Sequence, residues 1–320
     1  MPDPSTFLSV GAAPHVRSRQ SLTRMHHLTV LALMPAVLLG AIGHAFGEKA
    51  TALNPADAGI GSLGPIVRGL SSGMGVDTGT LWLLGILGTV ALASGFAVLV
   101  EYASQIAMRQ PYRALDGHAA LMGVLLVLLL PPTVPLWVLL IGVAVTVFLG
   151  KQLFGGLGSY PMHPAVVGWL VLVLSWPNWI YPVGMASIAA PTTAAVLATA
   201  AGGLFLWIRG VIRPQIALGV LVGVAVFSLL LAGRLPGGFA DQFLKGHVFL
   251  GAFFLATDPT SSPAKQRAMW IYGFGTGFLI VLIRAFGVWA DAVPFAVILM
   301  NVLNPLLDRI PVRRREAVAS

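Results

Sequence analysis

Apolar residues in this chain fall into ten blocks separated by short polar or Gly- and Pro-rich stretches, at about 26–46, 79–101, 117–131, 134–151, 162–178, 192–208, 215–233, 246–257, 268–286 and 291–307. Roughly 20 predominantly apolar residues span a bilayer as a helix. Several blocks are shorter or contain Pro, which a membrane tolerates where neighbouring helices or a cavity satisfy the freed backbone groups. The pattern predicts an all-α polytopic membrane protein with about ten transmembrane helices. The longest link between blocks is 47–78, rich in Gly, Ser and Pro.

Within this pattern one stretch occurs twice. "GHAALMGVLLVLLLPPTVP" (Gly117–Pro135) and "GHVFLGAFFLATDPTSSP" (Gly246–Pro263) both open on Gly-His, run through an apolar segment and break at Pro-Thr with a further Pro after it. Each is followed by two more apolar segments, the last starting beside a Pro, at His163 and at Val293. Self-similarity of this kind marks a duplicated fold. In an apolar chain it marks a membrane protein built from two halves. Five blocks separate the copies, and five is odd, so the halves are expected as two inverted five-helix repeats. The expected organisation is a cytoplasmic N-terminal segment 1–25, a first half 26–183, a second half 184–308 and a basic tail 309–320.

Charge orients the predicted spans. With both termini inside, the cytoplasmic segments hold 14 of the 19 Lys and Arg residues and the opposite face holds 5. This is the expected bias toward positive charge on the cytoplasmic side. The location expected from this is a bacterial inner membrane.

Composition agrees. The chain has 320 residues, 57% hydrophobic and 9% charged, with mean hydropathy +0.87, whereas a soluble domain is nearer a quarter charged. The formal charge of +8 is read as membrane topology, and no nucleic-acid partner is expected. The chain contains no cysteine, which excludes thiolate metal sites, iron–sulfur ligation and disulfides within it. The opening residues lack the pattern of a signal peptide.

Few residues stand out as chemistry. The 11 acidic residues are scattered, mostly in loops. Asp258 is the exception, at the end of an apolar run before Pro-Thr. It is read either as a group lining an ion or cofactor path, since ionisable groups at membrane depth are costly and usually purposeful, or as ordinary Asp-Pro-Thr turn chemistry. His118 and His247 occupy matching places in the two copies, as a haem pair or, more simply, as caps at span ends. "KQLFGGLGSYPMHP" (Lys151–Pro164) lacks the spacings of a nucleotide loop. Its Gly155, Gly156 and Gly158 are read as backbone that approaches a ligand or a neighbouring helix closely.

Six segments give the chain a resemblance. "APHVRSRQSLTRM" from Ala13, "LLLPPTVPLWVLLIG" from Leu128, "GKQLFGGLG" from Gly150, "FFLATDPTSSP" from Phe253, "WIYGFGTGFLIVLIRAFG" from Trp270 and "FAVILMNVLNPLLD" from Phe295 resemble the RnfD/NqrB family. RnfD is a membrane component of the Rnf complex, and NqrB is its relative in the sodium-pumping NADH:quinone oxidoreductase. The resemblance implies a membrane component of a translocase that is not catalytic alone, passing electrons between ferredoxin and NAD and coupling them to Na+ or H+ movement. It implies the A, B, C, E and G proteins of an Rnf complex as partners. It also implies flavin mononucleotide (FMN), joined through its phosphate to a Thr on the outer face, or riboflavin.

The chain departs from the family at that Thr. Aligning "GMASIAAPTTAAV" from Gly184 on Ser187 and Pro191 places Ala190 where the flavin-bearing Thr belongs. Alanine has no hydroxyl, so a phosphoester cannot form there. Three states stay open: no covalent flavin, a flavin held without a covalent link, and attachment through Thr192 or Thr193. The Thr pair is otherwise read as a helix cap. Tyr160 and His163 stand where the family usually has Asn. The expected site comprises Ser187, Thr192, Thr193, Gly155, Gly156, Gly158, Asp258 and the two Pro-Thr breaks at Thr133 and Thr260. A stand-alone small-solute channel or carrier, or a purely structural anchor, would fit the same inverted-repeat pattern.

Overall fold

The computed structural model describes residues 22–46, 78–110, 116–131, 134–180, 193–244, 246–287 and 291–310. Among these residues there is helix and no strand. The first half contains α1 (Leu22–Phe46), α2 (Thr78–Ala107), α3 (His118–Leu129), α4 (Leu136–Phe148) and α5 (Pro164–Ser175). The second contains α6 (Thr193–Ile208), α7 (Pro214–Leu230), a short α8 (Val248–Leu250), α9 (Gln266–Phe286) and α10 (Val293–Leu307). Helix therefore lies within every apolar block, and α1 begins four residues before the expected start at 26. The boundary drawn at 183/184 lies outside the described residues.

Four helical stretches are long and apolar enough to cross a bilayer: Leu22–Ile42, Leu83–Ala107, Leu136–Phe154 and Gln266–Phe286. The other apolar helices, α3, α5, α6, α7 and α10, are shorter. Pro sets several starts, at N1 or N2 of α5, α7 and α10, where its missing N–H costs nothing. The two copies of the repeat then diverge. α3 is a regular helix of 12 residues, whereas α8 runs into a π turn, Gly251–Leu255. That turn is closed by Ala256 N–H donating to the Gly251 carbonyl at 2.8 Å.

The bundle presents large apolar side chains outward and buries a few charged and polar ones within an otherwise apolar core. Ile208, Leu230, Leu174 and Leu229 are each at least 66% exposed, whereas Glu101, Lys151, His118 and His163 are at most 1% exposed. Charged side chains are almost never fully buried in soluble proteins unless paired. In lipid the hydrophobic effect does not drive helices together, so association rests on close packing of small residues. The chain follows this rule. α9 packs along α7, and α1 along α6. At the α7/α9 contact Gly219 and Gly223 face Gly273 and Gly277: a Cβ on Gly277 would lie 2.4 Å from the Val220 carbonyl oxygen, and one on Gly223 would lie 2.7 Å from that of Phe274. Within the first half α2 packs on α3 and α4, and α4 on α5. The halves meet through α1 on α6 and through α5 on α10, while the π turn touches α6, α7 and α10.

Candidate functional site: a buried polar cluster where the two halves meet

The repeated Gly-His dipeptides are built alike. Gly117 and Gly246 have φ of 80° and 74°, which L side chains disfavour. Each glycine turns the chain so that the following His heads a helix and faces inward. His118 and His247 are both buried, at 1% and 6% exposure. Each binds a residue just ahead of the last helix of its own half. His118 Nε2 lies 3.0 Å from the Tyr160 hydroxyl, and His247 Nδ1 bonds the Asp291 carboxylate. Burial and partners replace the capping role expected of them.

Around His118 three further segments converge. The Tyr160 hydroxyl donates to Asp258 Oδ1 at 3.2 Å, joining the Gly-rich loop of the first half to the Asp-Pro-Thr turn of the second. Asp258 Oδ2 accepts the Ser261 N–H and the Ser261 hydroxyl, both at 3.1 Å. The turn reading of Asp258 therefore holds, and its carboxylate also reaches Tyr160 of the Gly-rich loop. Thr260, half-buried, hydrogen-bonds Tyr160 as well. Burial first, and then the charge of Asp258, push the Tyr160 hydroxyl well above its ordinary pKa, so it stays protonated. One layer deeper, Asn301 of α10 and the Tyr272 hydroxyl are 2.5 Å apart. With its amide oriented to suit its neighbours, Asn301 donates to the Ser261 carbonyl at 3.3 Å and accepts the His163 N–H at 3.0 Å.

A cavity of about 60 Å³ opens beside this cluster, lined by His26, His118, His163 and Asp258 together with Met122, Phe253 and Phe254. His118 Nδ1 and both ring nitrogens of His163 are buried without a protein partner. By the volume one water needs, the cavity holds about four. It is smaller than the ~150 Å³ apolar cavity that admits benzene, so a three-ring isoalloxazine does not fit it. A second buried cluster flanks the loop. Lys151 Nζ lies 2.5 Å from Glu101 Oε1, which also accepts from Gln152 at 3.0 Å and Gln105 at 3.2 Å. At the far end of the molecule His247–Asp291 is accompanied by Arg284, whose Nη1 donates to the Gln242 carbonyl at 2.6 Å.

Of the expected site residues, Asp258 and Thr260 are brought together by Tyr160. Gly155, Gly156 and Gly158 all adopt positive φ, at 101°, 91° and 93°, in the loop that carries Tyr160. Thr193 is exposed at the first turn of α6. Thr133, Ser187 and Thr192 lie outside the described residues, as does Ala190. Reading the sequence missed Glu101, which sits at the end of an apolar block, and Asp291; both acidic groups are buried, so Asp258 is not the lone exception. A lone Glu four residues ahead of Gln105 in an otherwise apolar helix was the available signal for Glu101. His26 had none, whereas Asn301 stood in the segment from Phe295 that carries the family resemblance.

Exposed apolar side chains, four helical stretches long and apolar enough to cross a bilayer, and charged groups buried among apolar ones define a multi-pass helical membrane protein. The chain matches the NQR2, RnfD, RnfE family over residues 9–194 and 182–316, and it belongs to that family. It is 33% identical over 286 residues to the D subunit of the ion-translocating oxidoreductase complex of Ectopseudomonas mendocina, covering 71% of this chain and 83% of that protein. It is 27% identical over 337 residues to the D subunit of the Na(+)-translocating ferredoxin:NAD(+) oxidoreductase complex of Acetobacterium woodii, covering 94% and 93%. The corresponding protein of Methanosarcina acetivorans is 32% identical over 238 residues, covering 69% and 80%.

Proposed function

We propose that this chain is the RnfD-type membrane component of an Rnf-type ferredoxin:NAD oxidoreductase of the bacterial inner membrane, coupling electron transfer to Na+ or H+ movement. The observation that carries this reading is the match to the Acetobacterium woodii protein, which runs over 94% of this chain. Its partners are then the A, B, C, E and G proteins of the same complex, and its ten helical segments cross the membrane as two inverted halves with both termini cytoplasmic. Contacts between distant segments support that topology. The His118 cluster, Arg213 donating to the Ala264 carbonyl at 3.0 Å and Lys265 bonding the Asp308 carbonyl all join segments assigned to the cytoplasmic end. His247–Asp291, Arg284–Gln242 and the Trp137–Trp176 ring pair at 5.4 Å join segments assigned to the other. This assignment puts the repeated His at opposite ends, as inversion requires.

FMN, held at the 184–193 loop, would supply one-electron chemistry. Ala190 bars a phosphoester at the family position, so any flavin would be held without a covalent link or through Thr192 or Thr193, and a chain without flavin stays the third state. The chain's own part is to position and to gate. The polar cluster at the Asp258-Pro-Thr break offers oxygen ligands and hydrogen bonds to a passing ion, and the apolar belt seals the path from lipid. Purification of the tagged chain tests the role. Co-purifying redox proteins and ferredoxin-driven NAD reduction by the assembly are expected. Isolation without partners, together with solute uptake by vesicles containing this chain alone, would instead establish a carrier. In-gel flavin fluorescence that disappears in Thr192→Val/Thr193→Val establishes covalent attachment at that pair, while flavin released on denaturation establishes a dissociable one.

A further inference from the structure

Three segments of the second half are tied into one surface at the heads of α7 and α9. The Arg213 side chain, at the head of α7, donates to the Ala264 carbonyl at 3.0 Å. The Lys265 ammonium, at the head of α9, bonds the carbonyls of Asp308 and Ile310, the residues on either side of Arg309. The Asp308 carboxylate turns back to accept the Ala264 N–H at 3.3 Å. These bonds gather the link after α6, the start of α9 and the end of α10. Residues 207–214, 264–271 and 304–310 together carry five basic side chains, Arg209, Arg213, Lys265, Arg267 and Arg309, against one acid, Asp308. All four arginines are exposed. At the other end of this half, among the described residues, Arg234 and Arg284 stand against Asp241 and Asp291. The positive excess is therefore local.

Next to these arginines the surface is apolar. Trp207 and Ile208 end α6 at 38% and 75% exposure, and Trp270 and Ile271 lie early in α9 at 43% and 48%. At a rise of 1.5 Å per residue, each Trp stands about 3–5 Å along the chain axis from an arginine, Arg209 or Arg267, on the membrane side of it. Trp settles at the level of lipid headgroups, and an arginine just beyond it reaches the phosphate layer with its stem laid along apolar surface. An occupant that suits both zones has an anionic head and apolar tails. An acidic face of a soluble protein would neutralise the arginines but offers nothing to the exposed Trp and Ile beside them. We propose that this corner binds anionic phospholipid, with the headgroup phosphate held by Arg213, Arg267 and Arg309 and the acyl chains against Trp270 and Ile271. The planar guanidinium pairs with two phosphate oxygens at once. A zwitterionic lipid presents the same phosphate but adds an ammonium, which the excess of basic side chains repels, so the surface selects lipid of net negative charge. Which leaflet it faces rests on the topology proposed above. The lipid class does not.

The test titrates the delipidated full chain, in a neutral detergent, with phosphatidylglycerol or phosphatidylcholine and counts bound lipids by native mass spectrometry. The first phosphatidylglycerol is expected to bind at least tenfold tighter than the first phosphatidylcholine. A basic residue near an anionic lipid surface is worth about fivefold in affinity. Arg213→Gln/Arg267→Gln/Arg309→Gln is therefore expected to bring the two lipids within about twofold of each other. Arg267→Gln/Arg309→Gln keeps the Arg213–Ala264 bond and should lose about tenfold in phosphatidylglycerol affinity, so it decides the matter if the triple variant does not fold. Arg234→Gln, at the opposite end, should leave the preference unchanged. A native preference in either folded multiple variant, or its loss in Arg234→Gln, would overturn the proposal. Should the triple variant keep its lipid preference and lose co-purifying proteins instead, this face belongs to a soluble partner and the proposal fails. The measurement needs no partner protein and no electron donor. Failure of the chain to assemble into an electron-transfer complex would therefore strike the proposed function and leave this result standing.

Discussion

At the scale of single residues, the fold depends on polar side chains that composition hides. Glu101 and Lys151 are both 1% exposed and bonded to each other. Removing one partner from a buried pair leaves an uncompensated charge and costs about 3–5 kcal/mol, whereas replacing both by apolar groups of similar size is often near neutral. Glu101→Gln is therefore expected to lower the thermal unfolding midpoint of the detergent-solubilised chain sharply. Glu101→Leu combined with Lys151→Met should recover most of the loss, and equal loss in the single and double variants would refute the pairing argument. Asp258 was visible in the sequence because it interrupts an apolar run. Tyr160 was visible only as a departure from the family pattern, because the sequence says nothing about which residue 98 positions away will receive its hydrogen. His118 was visible as half of a repeat, yet its burial depends on helices elsewhere in the chain.

At the scale of helices, the sharpest constraint is the contact of α7 with α9. Gly277→Ala drives a methyl against the Val220 carbonyl at 2.4 Å. Backbone has to shift to admit it, at about 1–3 kcal/mol by the usual penalty for overpacking. Gly95 of α2 is the control, with nothing within 4 Å of its Cβ position. Gly95→Ala should be neutral or stabilising by about 0.5–1 kcal/mol, as Ala is favoured over Gly within a helix. Unfolding of the two variants in one detergent, compared by circular dichroism, checks the contrast. The apolar blocks made the helices legible. What periodicity could not reveal is that the second copy of the repeat continues as a π turn, because that register is set by packing. A Cβ on Gly203 would stand 2.2 Å from the Phe253 ring, and one on Gly251 2.2 Å from Val293. Such turns are frequent at functional sites, and this one leads directly into Asp258.

For the whole molecule, the decisive question is which ends face which compartment. The chain has no cysteine, so a single introduced one reports its own side without background. Arg267→Cys at the start of α9 and Gly238→Cys in the link before α8 are both at exposed positions. In intact cells a membrane-impermeant maleimide is expected to label Gly238→Cys and to label Arg267→Cys only after permeabilisation. Labelling of both from outside would refute the even-numbered topology and, with it, the inversion of the halves.

Sequence alone determined that the chain is helical, that it belongs in a membrane and that its halves echo each other. Those properties follow from counts and spacings of apolar residues, which act locally and do not need a partner. It also identified the family, through motifs whose order runs nearly from end to end. Only the tertiary structure decided what the scattered polar residues do. His26, His118, Tyr160, Asp258 and Asn301 come from five segments far apart in the chain, and a hydrogen bond between them exists only where the packing of lipid-facing helices leaves room for one. In a molecule whose helices turn apolar side chains outward, burial of a few charges is the information, and burial is a property of the assembled bundle.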